Sequence, residues 1–312
     1  MKFRIDLFVK GLAMGAADVV PGVSGGTIAF ISGIYDTLLT SIKSIGPEAV
    51  RVWRRSGWKA FWRHINGWFL LPLLLGIGTS IVSLAKLISY LLKTYPSLLW
   101  AFFCGLIVAS VWLVGKEIQR WTAATVVWLL IGTVVAYAIT VAAPATGTDA
   151  PWFVFVSGMI AICAMILPGI SGSFLLVLMG MYGTIIAAIT DRNLLIIGVF
   201  SAGALLGILS FARLLSWLLQ RHRGLTLALL TGFMIGSLNK VWPWKHTVSF
   251  YTNRHGEAVP LLQENVLPAT YTLQTGEPAY LVPALLLFVL GAIVVVGLER
   301  WGNSSGGEAT SR

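Results

Sequence analysis

Six long apolar blocks alternate with short basic clusters along the chain, at residues 68–92, 97–115, 121–143, 194–219, 225–241 and 280–298. Each approaches or exceeds the ~20 residues that a helix needs to cross a hydrocarbon layer of ~30 Å. Two further regions, 11–42 and 152–190, are equally apolar but broken near their centres, by Pro21-Gly22 and Pro168-Gly169. Proline removes a helical hydrogen bond and clashes with the preceding turn, so each region reads as two arms too short to cross alone. The pattern predicts an all-α polytopic membrane protein with about six transmembrane helices and two re-entrant helical hairpins.

The two broken regions are copies of one another. Residues 11–43 align without gaps on residues 158–190 with ten identities, among them Pro21, Gly22, Ser24, Gly25, Gly33 and Tyr35 against Pro168, Gly169, Ser171, Gly172, Gly180 and Tyr182. SLAKLISYLL from Ser83 then matches SFARLLSWLL from Ser210, which sets Lys86 against Arg213. Gly105 and Ser110 match Gly232 and Ser237, and Gly132 matches Gly291 more weakly. A repeat of this length indicates duplication.

Charge then orients the halves. The amino terminus and the segment 43–63 are both basic, the latter through Lys43, Arg51, Arg54, Arg55, Lys59 and Arg63, which predicts that both are cytoplasmic. The hairpin between them must return to its own side. Three crossings later the loop 145–150, without a positive charge, falls outside, so the second hairpin enters from the opposite face and the repeat is inverted. The expected division is a first repeat over 1–143 with its hairpin at 11–42, a second over 151–300 with its hairpin at 152–190, and a disordered cytoplasmic tail over 301–312. Both termini lie inside. Inverted repeats with broken helices at the midplane are a transporter architecture.

Composition narrows the class. Of the 312 residues 57% are apolar and 11% charged, far below the roughly one quarter usual in soluble domains. The net charge of +10 is scattered in loop clusters rather than gathered on a polar face, so it is read as setting topology, with no nucleic-acid partner. Asp18 interrupts the first apolar run, which argues against a cleavable signal peptide. Cys104 and Cys163 lie in apolar sequence and read as small packing residues. His64, His222, His246 and His255 show no metal-ligand spacing, and no cofactor motif is present. Trp53, Trp58, Trp62 and Trp68, interleaved with basic residues, suggest an amphipathic interfacial segment, and Trp242 and Trp244 an outer aromatic belt. Oligomeric state is not legible.

The breaks carry the chemistry. A helix interrupted inside a membrane leaves backbone N–H groups that must be satisfied by protein, water or a ligand. In PGVSGGT and PGISGSF the glycines allow close approach, and Ser24 or Ser171 can cap the following arm, whose positive end attracts an oxyanion. Candidate phosphate ligands are therefore Gly22, Ser24, Gly25 and Gly26 in the first tip and Gly169, Ser171, Gly172 and Ser173 in the second. A tight turn with close helix packing is the plainer reading of one such motif; two copies in matching positions favour a site. Lys86 and Arg213, charged inside apolar helices, either clamp the phosphate or snorkel to an interface. Asp18, replaced by Met165 in the second half, either pairs with one of them or carries a coupling ion such as a proton or sodium. Asp36 and Asp191 sit at hairpin ends, where solvation is the default. No catalytic or metal-binding residue is identified.

These motifs resemble the polyprenyl-phosphate transporter family, PopT, formerly a family of unknown function. The resemblance rests on GAADVVPGVSGGTIAFISGIYDTLL from Gly15, LPGISGSFLLVLMGMYGTI from Leu167 and GFMIGSLNKVWPW from Gly232, and covers nearly the whole chain. It implies a flippase in the bacterial cytoplasmic membrane that returns undecaprenyl phosphate, the lipid carrier of peptidoglycan and other envelope precursors, from the outer to the inner leaflet. Ser173 and Phe174 replace Gly26 and Thr27, which puts equal roles for the two tips in doubt. A carrier or channel for a soluble inorganic anion is the alternative within transport. A membrane phosphatase would need a nucleophile or acid-base pair at the phosphate, and neither hairpin holds a histidine.

The topology has a direct check. With Cys104 and Cys163 replaced and single cysteines placed at Arg51 or Ala145, a membrane-impermeant thiol reagent outside the cell should label only position 145. Labelling of both positions from one side would overturn the inverted arrangement.

Overall fold

The computed structural model describes residues 4–20, 23–145, 147–252 and 258–307. Pro21, Gly22, His255 and residues 308–312 of the expected tail lie outside them. The chain is an all-α membrane protein; among the described residues five helices are long and apolar enough to cross a bilayer, or six if the bent pair formed by Gly172–Leu178 and Tyr182–Thr190 counts as one span.

Two runs of similar helices follow one another. The first is α1 (Ile5–Val19), α2 (Gly25–Ile31), α3 (Tyr35–Lys43), α4 (Pro47–His64), α5 (Gly67–Thr94), α6 (Pro96–Lys116) and α7 (Ala123–Val141). The second is α8 (Pro151–Ile166), α9 (Gly172–Leu178), α10 (Tyr182–Thr190), α11 (Leu194–Arg221) and α12 (Arg223–Ser237). A two-stranded antiparallel sheet, β1 (Lys245–Thr252) and β2 (Ala258–Asn265), then leads to α13 (Pro268–Thr275) and α14 (Leu281–Gly307). The broken regions divide alike: α1, α2 and α3 have 15, 7 and 9 residues, and α8, α9 and α10 have 16, 7 and 9. Ser24 and Ser171 are the N-caps of α2 and α9, each accepting from a backbone N–H of the first turn. Gly33 and Gly180 follow the short arms at φ +71° and +67°, a conformation that glycine adopts without strain.

Glycine also sets how the long helices meet, because a residue without a side chain lets two backbones touch. A methyl added at Gly11 would strike the carbonyl oxygen of Leu73, and one at Gly76 that of Phe8, joining α1 to α5. At the matching positions Gly158 faces the carbonyl of Phe200 and Gly203 that of Phe155, joining α8 to α11. The remaining pairs cross between the runs: Gly105 faces Phe288 and Gly291 faces Phe102, tying α6 to α14, while Gly132 faces Leu229 and Gly232 faces Leu129, tying α7 to α12. The contacts also give direction. Gly11 with Leu73 is followed by Gly15 with Ile77, Gly203 with Phe155 by Gly207 with Met159, and Gly232 with Leu129 by Gly236 with Thr133. Numbers rise together along each pair, so α1 and α5, α8 and α11, and α7 and α12 run side by side in the same direction.

Apolar surface faces outward as well as inward. Val82, Leu194, Leu286 and Trp152 are at least 66% exposed, as suits side chains bathed in lipid. In contrast, all seven residues of α2 are buried. The equivalent α9 buries only Gly172 and Leu176, so the second hairpin lies nearer the molecular edge.

Four segments depart from the sequence expectation. The span expected over 225–241 is a helix only to Ser237, because Lys240 N–H turns back to the Ser237 carbonyl at 2.8 Å and Pro243 follows. Its 15 residues reach roughly 22 Å at ~1.5 Å per residue, short of a bilayer core. The polar stretch beginning at Lys245 forms a hairpin sheet, whose strands alternation alone did not announce. Trp242 and Trp244 do not stand free as a belt: their indole N–H groups donate to the Val266 and Ala279 carbonyls at 2.9 and 2.8 Å, tying the segment after α12 to the residues that flank α13. Helix α14 continues to Gly307, into the segment expected to be disordered. Helix α4 bends at Gly57, φ 74°, and exposes Trp53 and Trp58 among its basic residues, as an interfacial segment should.

Helix α11 offers an internal control for the glycine contacts. Gly203→Ala should push α11 from α8 and destabilise by about 1–3 kcal/mol, the usual cost of overpacking. Gly198→Ala, where nothing lies within 4 Å of the added carbon, should be neutral or stabilising. Equal melting temperatures in detergent would show that the backbone contact contributes nothing.

Candidate functional site

The two helix breaks meet. Helix α8 ends at Ile166 with orphan carbonyls, the ordinary condition of a helix C-terminus. The first hairpin satisfies two of them: the buried Ser24 hydroxyl donates to the Met165 carbonyl at 2.8 Å, and the buried Tyr35 hydroxyl donates to Ile166 at 3.0 Å. In return Gly169 N–H donates to the Thr27 hydroxyl at 3.1 Å. Gly26 is needed here, because a methyl would strike the Ile166 carbonyl. Gly169 takes φ +86° and packs against the backbone of Met234, so the second tip rests on α12.

The first tip is closed by its own side chains. Gly25 N–H donates to the Asp18 carboxylate at 2.7 Å, and Gly26 N–H to the Ser24 hydroxyl at 3.0 Å. At the far end of α2, the buried Lys10 ammonium donates to the Ser32 carbonyl at 2.9 Å. A carboxylate at the N-terminus of α2 and an ammonium at its C-terminus complement the helix dipole. The second hairpin has Met165 and Ser157 in those places. Its hydroxyls bond to each other, Ser171 to Ser173 at 2.9 Å, and Phe174 N–H reaches Ser171 at 3.5 Å.

Beside the second tip is a narrow cleft of about 10 Å³, lined by Ala136, Ile139, Thr140, Gly169, Ile170, Ser171, Phe174, Ser237 and Lys240. The Lys240 ammonium lies 4.3 Å from the Phe174 ring centroid. Next to it the Lys245 ammonium donates to the Lys240 carbonyl and sits 4.0 Å over the Trp100 ring.

Of the residues anticipated from sequence, the structure gathers Asp18, Ser24, Gly25, Gly26, Gly169, Ser171, Gly172 and Ser173 around the meeting breaks; Gly22 is outside the described residues. It does not bring Lys86 or Arg213 there. Lys86 is exposed on α5. Arg213 donates to the carbonyls of Leu209 at 3.2 Å and Ile45 at 3.3 Å, binding α11 to the end of the first hairpin. Asp18 takes a backbone N–H rather than either cation. Asp36 is exposed and shares Arg223 with Glu117, at 3.1 and 2.9 Å. Lys240, Lys245 and Thr27 were passed over. The signal that could have found Lys240 is a lysine in GFMIGSLNKVWPW, within the apolar span expected over 225–241.

Residues 14–259 match the VCA0040-like, undecaprenyl phosphate translocase-like family. A polyprenyl-phosphate transporter of Vibrio cholerae is 51% identical over 299 residues, 96% of this chain and 97% of that protein. A polyprenyl-phosphate transporter of Staphylococcus aureus is 34% identical over 260 residues, 78% of this chain and 87% of that one. No solved structure matches the chain significantly. A multi-pass helical protein with two broken helices meeting inside it, aligned almost end to end with such relatives, belongs to the undecaprenyl phosphate translocase-like family of membrane transporters.

Proposed function

We propose that this protein is a flippase that returns undecaprenyl phosphate from the outer to the inner leaflet of the bacterial cytoplasmic membrane, where the lipid again carries precursors of envelope polymers such as peptidoglycan. The observation that carries the reading is the direct bonding of the two helix breaks, Ser24 to Met165 and Gly169 to Thr27. Polar backbone and hydroxyl groups are thereby gathered inside an apolar protein, where an oxyanion head group can replace them as partner. That the relatives in Vibrio cholerae and Staphylococcus aureus are polyprenyl-phosphate transporters supports a prenyl chain as the lipid part of the substrate.

An inverted repeat fits the directions of the helices. Because α1 runs alongside α5 in the same sense, the segment between them returns to the face from which α1 started; α8 and α11 imply the same for the second hairpin. The two hairpins then enter from opposite faces, with both termini cytoplasmic. In this arrangement Arg213 stands toward the inner leaflet and Lys86 toward the outer. The phosphate passes each of them on its way to or from the tips, while the prenyl tail stays in lipid beside the half-buried α9. Rocking of the hairpin-bearing pairs, α1 with α5 and α8 with α11, exposes the tips to either side. Asp18, whose one described partner is a neutral N–H, is the group placed to couple a proton or sodium ion to that motion.

Purified protein in liposomes tests the reading. Wild type should move undecaprenyl phosphate between leaflets without admitting a small soluble dye, and excess inorganic phosphate should not compete. Arg213→Ala and Lys86→Ala should slow the movement. If wild type moves no lipid under any imposed ion gradient but carries inorganic phosphate, the soluble-anion reading replaces this one.

A further inference from the structure

The lysine pair beside the second tip is unexplained by packing. Lys240 and Lys245 lie close together, each against an aromatic ring, and among the described residues no carboxylate pairs with either. Like charges in an apolar setting repel one another and lose hydration, so the arrangement is unfavourable without an anion. The Lys245 ammonium already has the Lys240 carbonyl. Among the described residues, the Lys240 ammonium has only the face of Phe174.

We propose that Lys240 is the cation that binds the phosphate group, together with the Ser171–Ser173 hydroxyl pair, and that the Phe174 ring holds its place until the phosphate arrives. The assignment rests on the transporter reading above and goes beyond it by making the site one-sided. Three observations bear on it independently. The paired hydroxyls of Ser171 and Ser173 use one hydrogen between them, which leaves the other for an external acceptor. The first tip has no such vacancy, because Asp18 already stands where an anion would sit and would repel one. The second hairpin is also the less buried of the two, so a head group can reach it while its chain remains in the bilayer. The cleft holds about 10 Å³, room for a water molecule and not for a phosphate. On this proposal phosphate binding therefore requires Phe174 to leave Lys240. Phe174 replaces Thr27 of the first hairpin, so the bulky ring belongs to the half that also has the lysine.

The ligand chemistry is a phosphate monoester or its dianion, and the probes separate a lipid source from a soluble one. Binding of a short-chain prenyl phosphate, and separately of inorganic phosphate, is measured on the detergent-purified full-length protein, with the melting temperature recorded for each variant. Lys240→Gln should weaken binding of the prenyl phosphate on the order of tenfold or more, the loss of a charge-assisted hydrogen bond. Its melting temperature should hold or rise, because an unpaired charge is gone. Lys240→Arg should retain most of the affinity, and Phe174→Ala should bind more tightly than wild type, since the competing ring is removed. Unchanged affinity in a folded Lys240→Gln overturns the assignment and leaves the transporter reading intact. Binding of inorganic phosphate alone, lost in Lys240→Gln, supports the site and overturns the lipid reading. Binding of neither probe by wild type overturns both. If Lys240→Gln does not fold, Phe174→Ala decides: weaker or unchanged binding sinks the proposal.

Discussion

A chain that stops being helical inside a membrane must find partners there for its backbone N–H and C=O groups, and nearly every special residue of this protein answers that requirement. Two breaks in isolation would each leave several such groups bare, at a cost of several kcal/mol apiece in hydrocarbon. Brought together, they satisfy one another. The carbonyls of Met165 and Ile166 end α8, and the hydroxyls of Ser24 and Tyr35 meet them from the other hairpin. The glycines follow from the same need, since Gly26 lies where any side chain would separate the two backbones. The scaffold then holds this meeting in place with backbone-to-backbone glycine contacts within and between the two runs of helices.

The two hairpins solve the same problem with different chemistry. Helix α2 is fully buried and neutralised at both ends, by Asp18 at its start and Lys10 at its close. Helix α9 has Met165 and Ser157 at the corresponding places, is only partly buried, and has a lysine beside its tip instead of a carboxylate. Duplication supplied the geometry twice. Divergence at a few positions then gave one copy a carboxylate and an ammonium at the ends of its short helix, and the other a pair of hydroxyls beside a lysine. A site shared equally by both tips would be expected to keep the same charges in both.

Much of this was legible in the sequence, for physical reasons. Lipid forces long apolar helices, so five spans and the two breaks announce themselves, and the duplication placed Ser24 against Ser171 before any contact was known. The glycines of the long helices fell on matched positions and turned out to make matched contacts. What was not legible depended on tertiary context. Lys86 and Arg213 share a position in the repeat and so suggested a shared role, yet Arg213 finds the Ile45 carbonyl while Lys86 faces outward. A charge in an apolar helix reveals that it needs a partner without naming which. Lys240 was hidden for the opposite reason: it lies just beyond Ser237, where α12 stops short, and hydropathy carries the apolar run straight past that point. The β-hairpin offered only a polar stretch, and its attachment through Trp242 and Trp244 is a matter of carbonyls far along the chain.

The distribution of contacts also indicates which parts of the molecule are suited to move. Glycine-to-carbonyl packing brings backbones together over several turns, and such interfaces resist sliding because any shift drives a side chain into the neighbouring helix. Those interfaces bind α1 to α5 and α8 to α11 within each run, and α6 to α14 and α7 to α12 between the runs. The breaks themselves are joined differently, by single hydrogen bonds through Ser24, Tyr35 and Thr27. A hydrogen bond of this kind contributes only about 0.5–1.5 kcal/mol net and is readily exchanged for one to an incoming acceptor. On the proposed mechanism, a phosphate at the second tip supplies in new hydrogen bonds what the breaks lose in parting. Ligand binding and opening are then the same exchange of partners at the breaks, and the glycine-packed pairs can move as rigid bodies around it.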